Sequence, residues 1–181
     1  MAKSLEEYLR EKSGGRITYK VLEEFYYRVA EGRVRLRDPS PPETFAAYLG
    51  RLDYNLWLYT SLLLAVATLV VIWASGIVEA IMPLRYVLGS IYVLFLPGYS
   101  LIEALYPEEG RLSDLEKLAL SIGLSLAIVP LIGLVLNYTP WGIRLNPYIV
   151  ASFTLIISLL FTGSYRRYKL LSERIRASQA L

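Results

Sequence analysis

Glu79, Arg85, Glu103 and Arg144 are ionisable residues inside or beside long apolar runs. A charge in such a place is costly to desolvate, so each marks either a site or a structural pair. The chemistry open to them is narrowed by what the chain lacks. It has no histidine and no cysteine, which removes imidazole bases, thiolate nucleophiles and the commonest ligands of zinc, copper and haem. It also has no G-x-S-x-G, no P-loop, no G-x-G-x-x-G, no D-x-D pair and no H-E-x-x-H. Carboxylates do gather at Glu108, Glu109, Asp114 and Glu116, just ahead of an apolar run. There Ser113 or Asp114 can cap a helix and acids favour its amino terminus, which explains them without a reaction. No catalytic residue, metal or cofactor is expected, and the chain reads as non-enzymatic.

Pro97-Gly98-Tyr99-Ser100 is the strongest local irregularity. Proline removes a backbone donor and crowds the preceding turn, so it kinks or breaks a helix. Broken helices in membranes often form binding sites. Arg85, Pro97, Gly98, Tyr99, Glu103 and Arg144 are therefore the candidate binding residues, for a lipid or a lipid-linked sugar at the break. The competing expectation is a kink packed against a neighbour. Glu79 and Arg85 could pair with each other, and for all four charges snorkelling or pairing stands ahead of a substrate role. No polar series crosses the centre of the apolar runs, which argues against a transporter.

Two small-residue ridges lie side by side: Ala119, Gly123 and Ala127, and Ser121 with Ser125. Such ridges let helices approach closely in lipid. Thr154, Ser158 and Thr162 recur every four residues; their hydroxyls can bond their own helix backbone, which favours packing over a pore. Asn137-Tyr138-Thr139 is a glycosylation sequon, but its place at a helix end before Pro140 makes a glycan unexpected.

The elements that must position these residues are apolar helices. Of 181 residues 55% are hydrophobic, and they are unevenly placed: residues 1–53 are rich in charge, whereas Leu56 to Ala74 has none. About 20 apolar residues cross a hydrocarbon core of roughly 30 Å. Four spans are predicted, at 55–73, 84–106, 115–137 and 147–165. The first begins well inside the chain without a following cleavage site, so it is expected to be an anchor and not a signal peptide. Trp57 and Tyr59 near one end and Trp73 at the other suit two interfacial belts, since Trp57 and Trp73 are separated by about 24 Å of helix. Ten of the 19 basic residues lie at or before Arg51 and five in the basic tail, 166–181. The positive-inside bias then places both termini in the cytoplasm, which requires an even number of crossings. The expected fold is an all-α integral membrane protein of the cell membrane: a cytoplasmic module (1–53), a four-helix transmembrane domain (54–165) and a cytoplasmic tail.

In the module, Ser4-Leu5-Glu6-Glu7 has the form of a capping box and Gly14-Gly15 a stop. Thr18 can cap a second helix ending at Gly32, with Val21, Leu22, Phe25, Tyr26 and Val29 as its apolar stripe. Val34-Arg35-Leu36-Arg37 alternates as a strand would, and Ser40-Pro41-Pro42-Glu43 has the form of a third helix start. Helix, helix and basic strand resemble a trimmed winged-helix unit. Acids nearly cancel its basic charge, so anionic headgroups are a better partner than nucleic acid.

The run Arg85-Tyr86-Val87-Leu88-Gly89, then Leu94-Phe95-Leu96-Pro97-Gly98-Tyr99, Leu118 to Leu126, and Asn137-Tyr138-Thr139-Pro140-Trp141-Gly142-Ile143-Arg144 resembles the archaeal membrane-protein family catalogued as domain of unknown function 1616. Glu116-Lys117 departs from the arginine-containing pair expected there. The resemblance implies an archaeal cell membrane and a link to envelope or surface-glycan assembly. Taken together, these features lead to a membrane subunit or scaffold, associating with other membrane proteins or with itself. The alternatives are lipid binding at the Pro97-Gly98 break and a membrane-tethered regulator.

Overall fold

Apolar stretches this long satisfy their backbone groups most simply within helices, and from residue 52 onward the chain does so almost without interruption. A computed structural model describes residues 9–11, 19–30, 40–108 and 110–179. Its elements are α1 (Tyr19–Ala30), α2 (Phe45–Leu49), α3 (Leu52–Ala74), a 3-10 turn (Glu79–Ile81), α4 (Met82–Leu94), α5 (Leu96–Leu105), α6 (Asp114–Asn137) and α7 (Leu145–Gln179). No strand occurs among the described residues. Four helical segments, Leu52–Ala74, Glu79–Leu105, Asp114–Asn137 and Leu145–Ala177, are long and apolar enough to cross a membrane. Large apolar side chains such as Leu63, Val70, Leu126 and Leu131 cover their outward faces.

The chain divides into two compact units, Met1–Pro41 and Pro42–Leu181. In the first, α1 buries Phe25 and half-buries Val21, Leu22 and Val29. Tyr26, expected in the same stripe, is exposed, because it lies a further 100° or so around the helix from Phe25. Glu24 and Arg28 pair one turn apart at 2.7 Å. The capping box at Ser4, the stop at Gly14-Gly15, the cap at Thr18, the stop at Gly32 and the strand at Val34-Arg35-Leu36-Arg37 lie outside the described residues.

In the second unit α2 does not start at Ser40. A residue before proline is held away from the helical region, and Ser40-Pro41-Pro42 stays outside the helix. Thr44 becomes the cap, its Oγ1 accepting from the Ala47 N–H at 3.2 Å. Phe45 and Tyr48 then seat α2 on α7, with ring centroids 5.5 Å (Phe45 to Tyr165) and 5.7 Å (Tyr48 to Tyr168) apart. Asn55 ties three elements together. It is fully buried, its amide donates to the Tyr48 carbonyl at 2.6 Å, and its side-chain oxygen accepts from Ser164 Oγ at 3.1 Å. The backbone at Asn55 leaves helical geometry (φ −121°, ψ 20°), so α3 kinks at that anchor.

The Glu79–Leu105 segment is where irregularity was expected, and it is built from two helices. The break falls at Phe95 (φ −123°, ψ −47°), which leaves Pro97 in the first turn of α5, where its missing N–H is tolerated. Packed closely against α6 and α7, α5 is buried on nearly every side: Leu96, Pro97, Gly98, Ser100, Ile102, Glu103 and Ala104 are all buried. Two glycines permit the approach. A Cβ on Gly98 would lie 2.7 Å from the Ser125 nitrogen of α6, and one on Gly163 of α7 would lie 2.8 Å from the Glu103 carbonyl oxygen. The freed N–H of Gly98 donates to Ser125 Oγ at 2.8 Å, so a neighbouring helix caps α5. Leu58 and Ala65 of α3, Tyr92 of α4, Leu96 of α5, and Ile156 and Leu160 of α7 form the core.

The expected capping box of α6 is present: Ser113 N–H donates to Glu116 Oε2 at 2.8 Å and Glu116 N–H to Ser113 Oγ at 3.3 Å. The fourth helix does not stop at Tyr165. α7 continues to Gln179, so the segment expected as a tail is mostly an extension of the helix.

Candidate functional site

Glu103 sits two residues before the end of α5 and is the one charged side chain among the buried described residues, with 0% exposure. A longer, peripheral helix would let a glutamate curl toward solvent; α5 has neighbours on both sides and offers no such exit. The carboxylate instead holds two cations. Oε2 accepts from the Arg167 guanidinium of α7, and Oε1 faces the Lys117 ammonium of α6 as an ion pair without an aligned hydrogen bond. Each cation also lies over an aromatic ring: Arg167 over Trp57 at 4.5 Å and Lys117 over Tyr99 at 5.2 Å. Three helices thus meet at one carboxylate, and α3 joins them through Trp57.

Arg166 closes the same end of α5. Its guanidinium donates to the Ala104 carbonyl and, at 3.3 Å, to the Leu105 carbonyl. The last carbonyls of a helix carry its negative dipole end, and a cation there both bonds them and complements the field. α5 therefore has its first turn capped by a serine of α6 and its last by an arginine of α7.

A pocket of about 560 Å³ opens beside this cluster, lined among others by Trp57, Tyr99, Arg111, Asp114, Lys117 and Arg167. The Arg167 and Lys117 side chains are 12% and 30% exposed, so they form its deeper wall. Asp53 and Glu108 also line it, each already paired: Asp53 with Arg51 at 2.8 Å and Glu108 with Arg111 at 2.6 Å.

The candidate residues from the sequence are not brought to one place. Arg85 of α4 reaches Ser75 Oγ at 3.3 Å and does not pair with Glu79, which opens the 3-10 turn ahead of that helix. Arg144 is exposed ahead of α7. Arg85 is separated from Glu103 by about 27 Å of helical rise, and Arg144 from the Gly163 contact by about 28 Å. Pro97 and Gly98 are packed against α6, so the break is filled by protein, and only Tyr99 and Glu103 of the six reach the cation cluster. Of the two ridges, Ser121 and Ser125 are buried against α5, whereas Ala119, Gly123 and Ala127 face outward. Thr154, Ser158 and Thr162 are exposed too, the last two bonded to carbonyls of their own helix at 2.7 Å.

Lys117, Arg166, Arg167 and Trp57 were not singled out from the sequence as site residues. A usable signal existed, since the four-span topology puts Glu103, Lys117 and Arg166-Arg167 at the same end of the bundle.

A family model described as domain of unknown function (DUF8471) matches residues 63–179, about two thirds of the chain. The match corrects the resemblance to domain of unknown function 1616, and the archaeal membrane and envelope link implied by that resemblance lose their support with it. The motifs behind the resemblance are short, and Gly98 within them answers to close helix packing, a demand not peculiar to one family. The matched region contains Glu103, Lys117, Arg166 and Arg167, but neither Trp57 nor α1 and α2. No curated protein and no solved structure matches the chain.

Proposed function

We propose, for this chain, which belongs to the family described as domain of unknown function 8471, a non-enzymatic role as an integral membrane subunit or scaffold that associates with other membrane proteins or with further copies of itself. Four helices cross the cell membrane, both termini lie in the cytoplasm, and the amino-terminal region forms a small module against the inner surface.

The observation that carries this reading is the division of labour on α6. Ser121 and Ser125 receive α5, while Ala119, Gly123 and Ala127 stay exposed and nothing lies within 4 Å of a Cβ built on Gly123. A small-x-x-x-small ridge without a partner among the described residues suits a helix from another chain. The buried charge supports the same reading, because Glu103 is engaged by two cations and holds helices together. For orientation the support is the excess of lysine and arginine at both ends of the chain.

The test is crosslinking in the native membrane with identification of partners, repeated with Gly123→Leu. That substitution has room within the chain, so helicity and thermal stability in detergent should be unchanged while the crosslinked species disappear. A wild-type chain that leaves native membranes as a lone monomer in mild detergent would sink the proposal.

A further inference from the structure

We infer that the pocket beside Glu103 binds a phosphate-bearing polyol headgroup, its phosphate meeting the Lys117 ammonium and its hydroxyls meeting Asp114. The inference goes beyond a scaffold role and does not depend on it.

Size comes first. About 560 Å³ lies in the range of roughly 300–1,000 Å³ typical of small-molecule sites. The sign of the ligand follows from what the walls have already satisfied. Aromatic walls with nearby acids would suit a cationic ligand, but three of the four rings in the lining, Tyr106 excepted, are taken by the protein's own cations: Trp57 by Arg167 at 4.5 Å, Tyr99 by Lys117 at 5.2 Å and Tyr54 by Arg51 at 4.9 Å. Two of the acids are taken as well, Asp53 by Arg51 and Glu108 by Arg111. The deeper wall has the opposite character. Glu103 divides one negative charge between Lys117 and Arg167, and the Lys117 ammonium carries three donors with its side chain still 30% exposed. A phosphate oxygen there gains a charge-assisted hydrogen bond and relieves repulsion between the two cations. Asp114, at the amino terminus of α6, has no cation partner among the described residues and offers acceptors to hydroxyl groups. An anion alone would leave Asp114 facing like charge. An anion that carries hydroxyls satisfies both walls.

The same chemistry could arrive on a lipid or in solution, and the test separates the two. The full chain, stripped of lipid in mild detergent, is incubated with short-chain phosphatidylglycerol, with glycerol 1-phosphate, or with short-chain diacylglycerol, and bound probe is read by native mass spectrometry. Phosphatidylglycerol should be retained and diacylglycerol should not. Competition by glycerol 1-phosphate at similar concentration makes the source a soluble phosphate, and its failure to compete makes the source a lipid; either supports the site. Lys117→Gln should weaken retention about tenfold, the worth of one charge-assisted bond. That variant keeps the Glu103–Arg167 pair. Thr60 of α3 also lines the pocket, so Thr60→Trp narrows it without touching any charge and should weaken retention as well, which guards against a folding defect in the first variant. Retention of diacylglycerol equal to phosphatidylglycerol, no retention of either phosphate probe, or retention unchanged by both substitutions would overturn the assignment.

Discussion

A glutamate with no access to water needs opposite charge and hydrogen bonds in place of its hydration, and Glu103 has Arg167 and Lys117 to supply them. The two cations are not equivalent. Arg167 makes the aligned hydrogen bond and is nearly enclosed, whereas Lys117 is more exposed and makes a bare ion pair. Glu103→Gln removes the shared anion and leaves two cations facing each other, and should cost about 3 kcal/mol of unfolding free energy. Lys117→Gln keeps the better pair and should cost about 1 kcal/mol. Unfolding in mixed detergent, followed by circular dichroism, measures both. Equal losses would mean that the Lys117 pair, and not the Arg167 pair, carries the stabilisation.

α5 shows how a helix of only ten residues can be held as firmly as the longer ones around it. Its first turn is capped by Ser125, its last by Arg166, and its sides touch other backbones at Gly98 and Gly163. Gly98→Ala would push a methyl group into the Ser125 backbone and should destabilise the bundle by about 1–3 kcal/mol in the same unfolding measurement. A change within about 0.5 kcal/mol would show that the close approach is dispensable. At this scale the sequence was legible in part. Four apolar segments are plain from hydropathy, and Pro97 announces a break, although the backbone departs two residues earlier, at Phe95. Which ridge of α6 packs inward was not legible. Ser121 with Ser125 and Ala119 with Gly123 both satisfy the same spacing, and the choice is made by Gly98 on another helix. The Glu103–Arg167 contact spans 64 residues, so no local pattern contains it.

At the scale of the whole molecule the proposed four-crossing arrangement makes a direct prediction. The chain contains no cysteine, so single cysteines report position without background. Ile77→Cys and Ile143→Cys, both at exposed sites, should react with an impermeant maleimide added outside intact cells, and Arg174→Cys only after the cells are opened. The reverse pattern would invert the topology. Connectivity adds a feature that only time reveals. Glu103 is synthesised before either of its cations, and Arg167 follows it by 64 residues. At about 5–20 residues per second, the ribosome delivers that partner roughly 3–13 s later. For that interval the Glu79–Leu105 segment has an acid with no arginine to receive it and a short helix whose last carbonyls are uncapped. A ribosome-held chain ending at Tyr165 should leave this segment open to protease, and one extended past Gln179 should protect it. On this order of events the bundle is sealed from its last helix backward, and any factor that shields a half-made membrane protein would be needed at that acid, before Arg166 and Arg167 emerge.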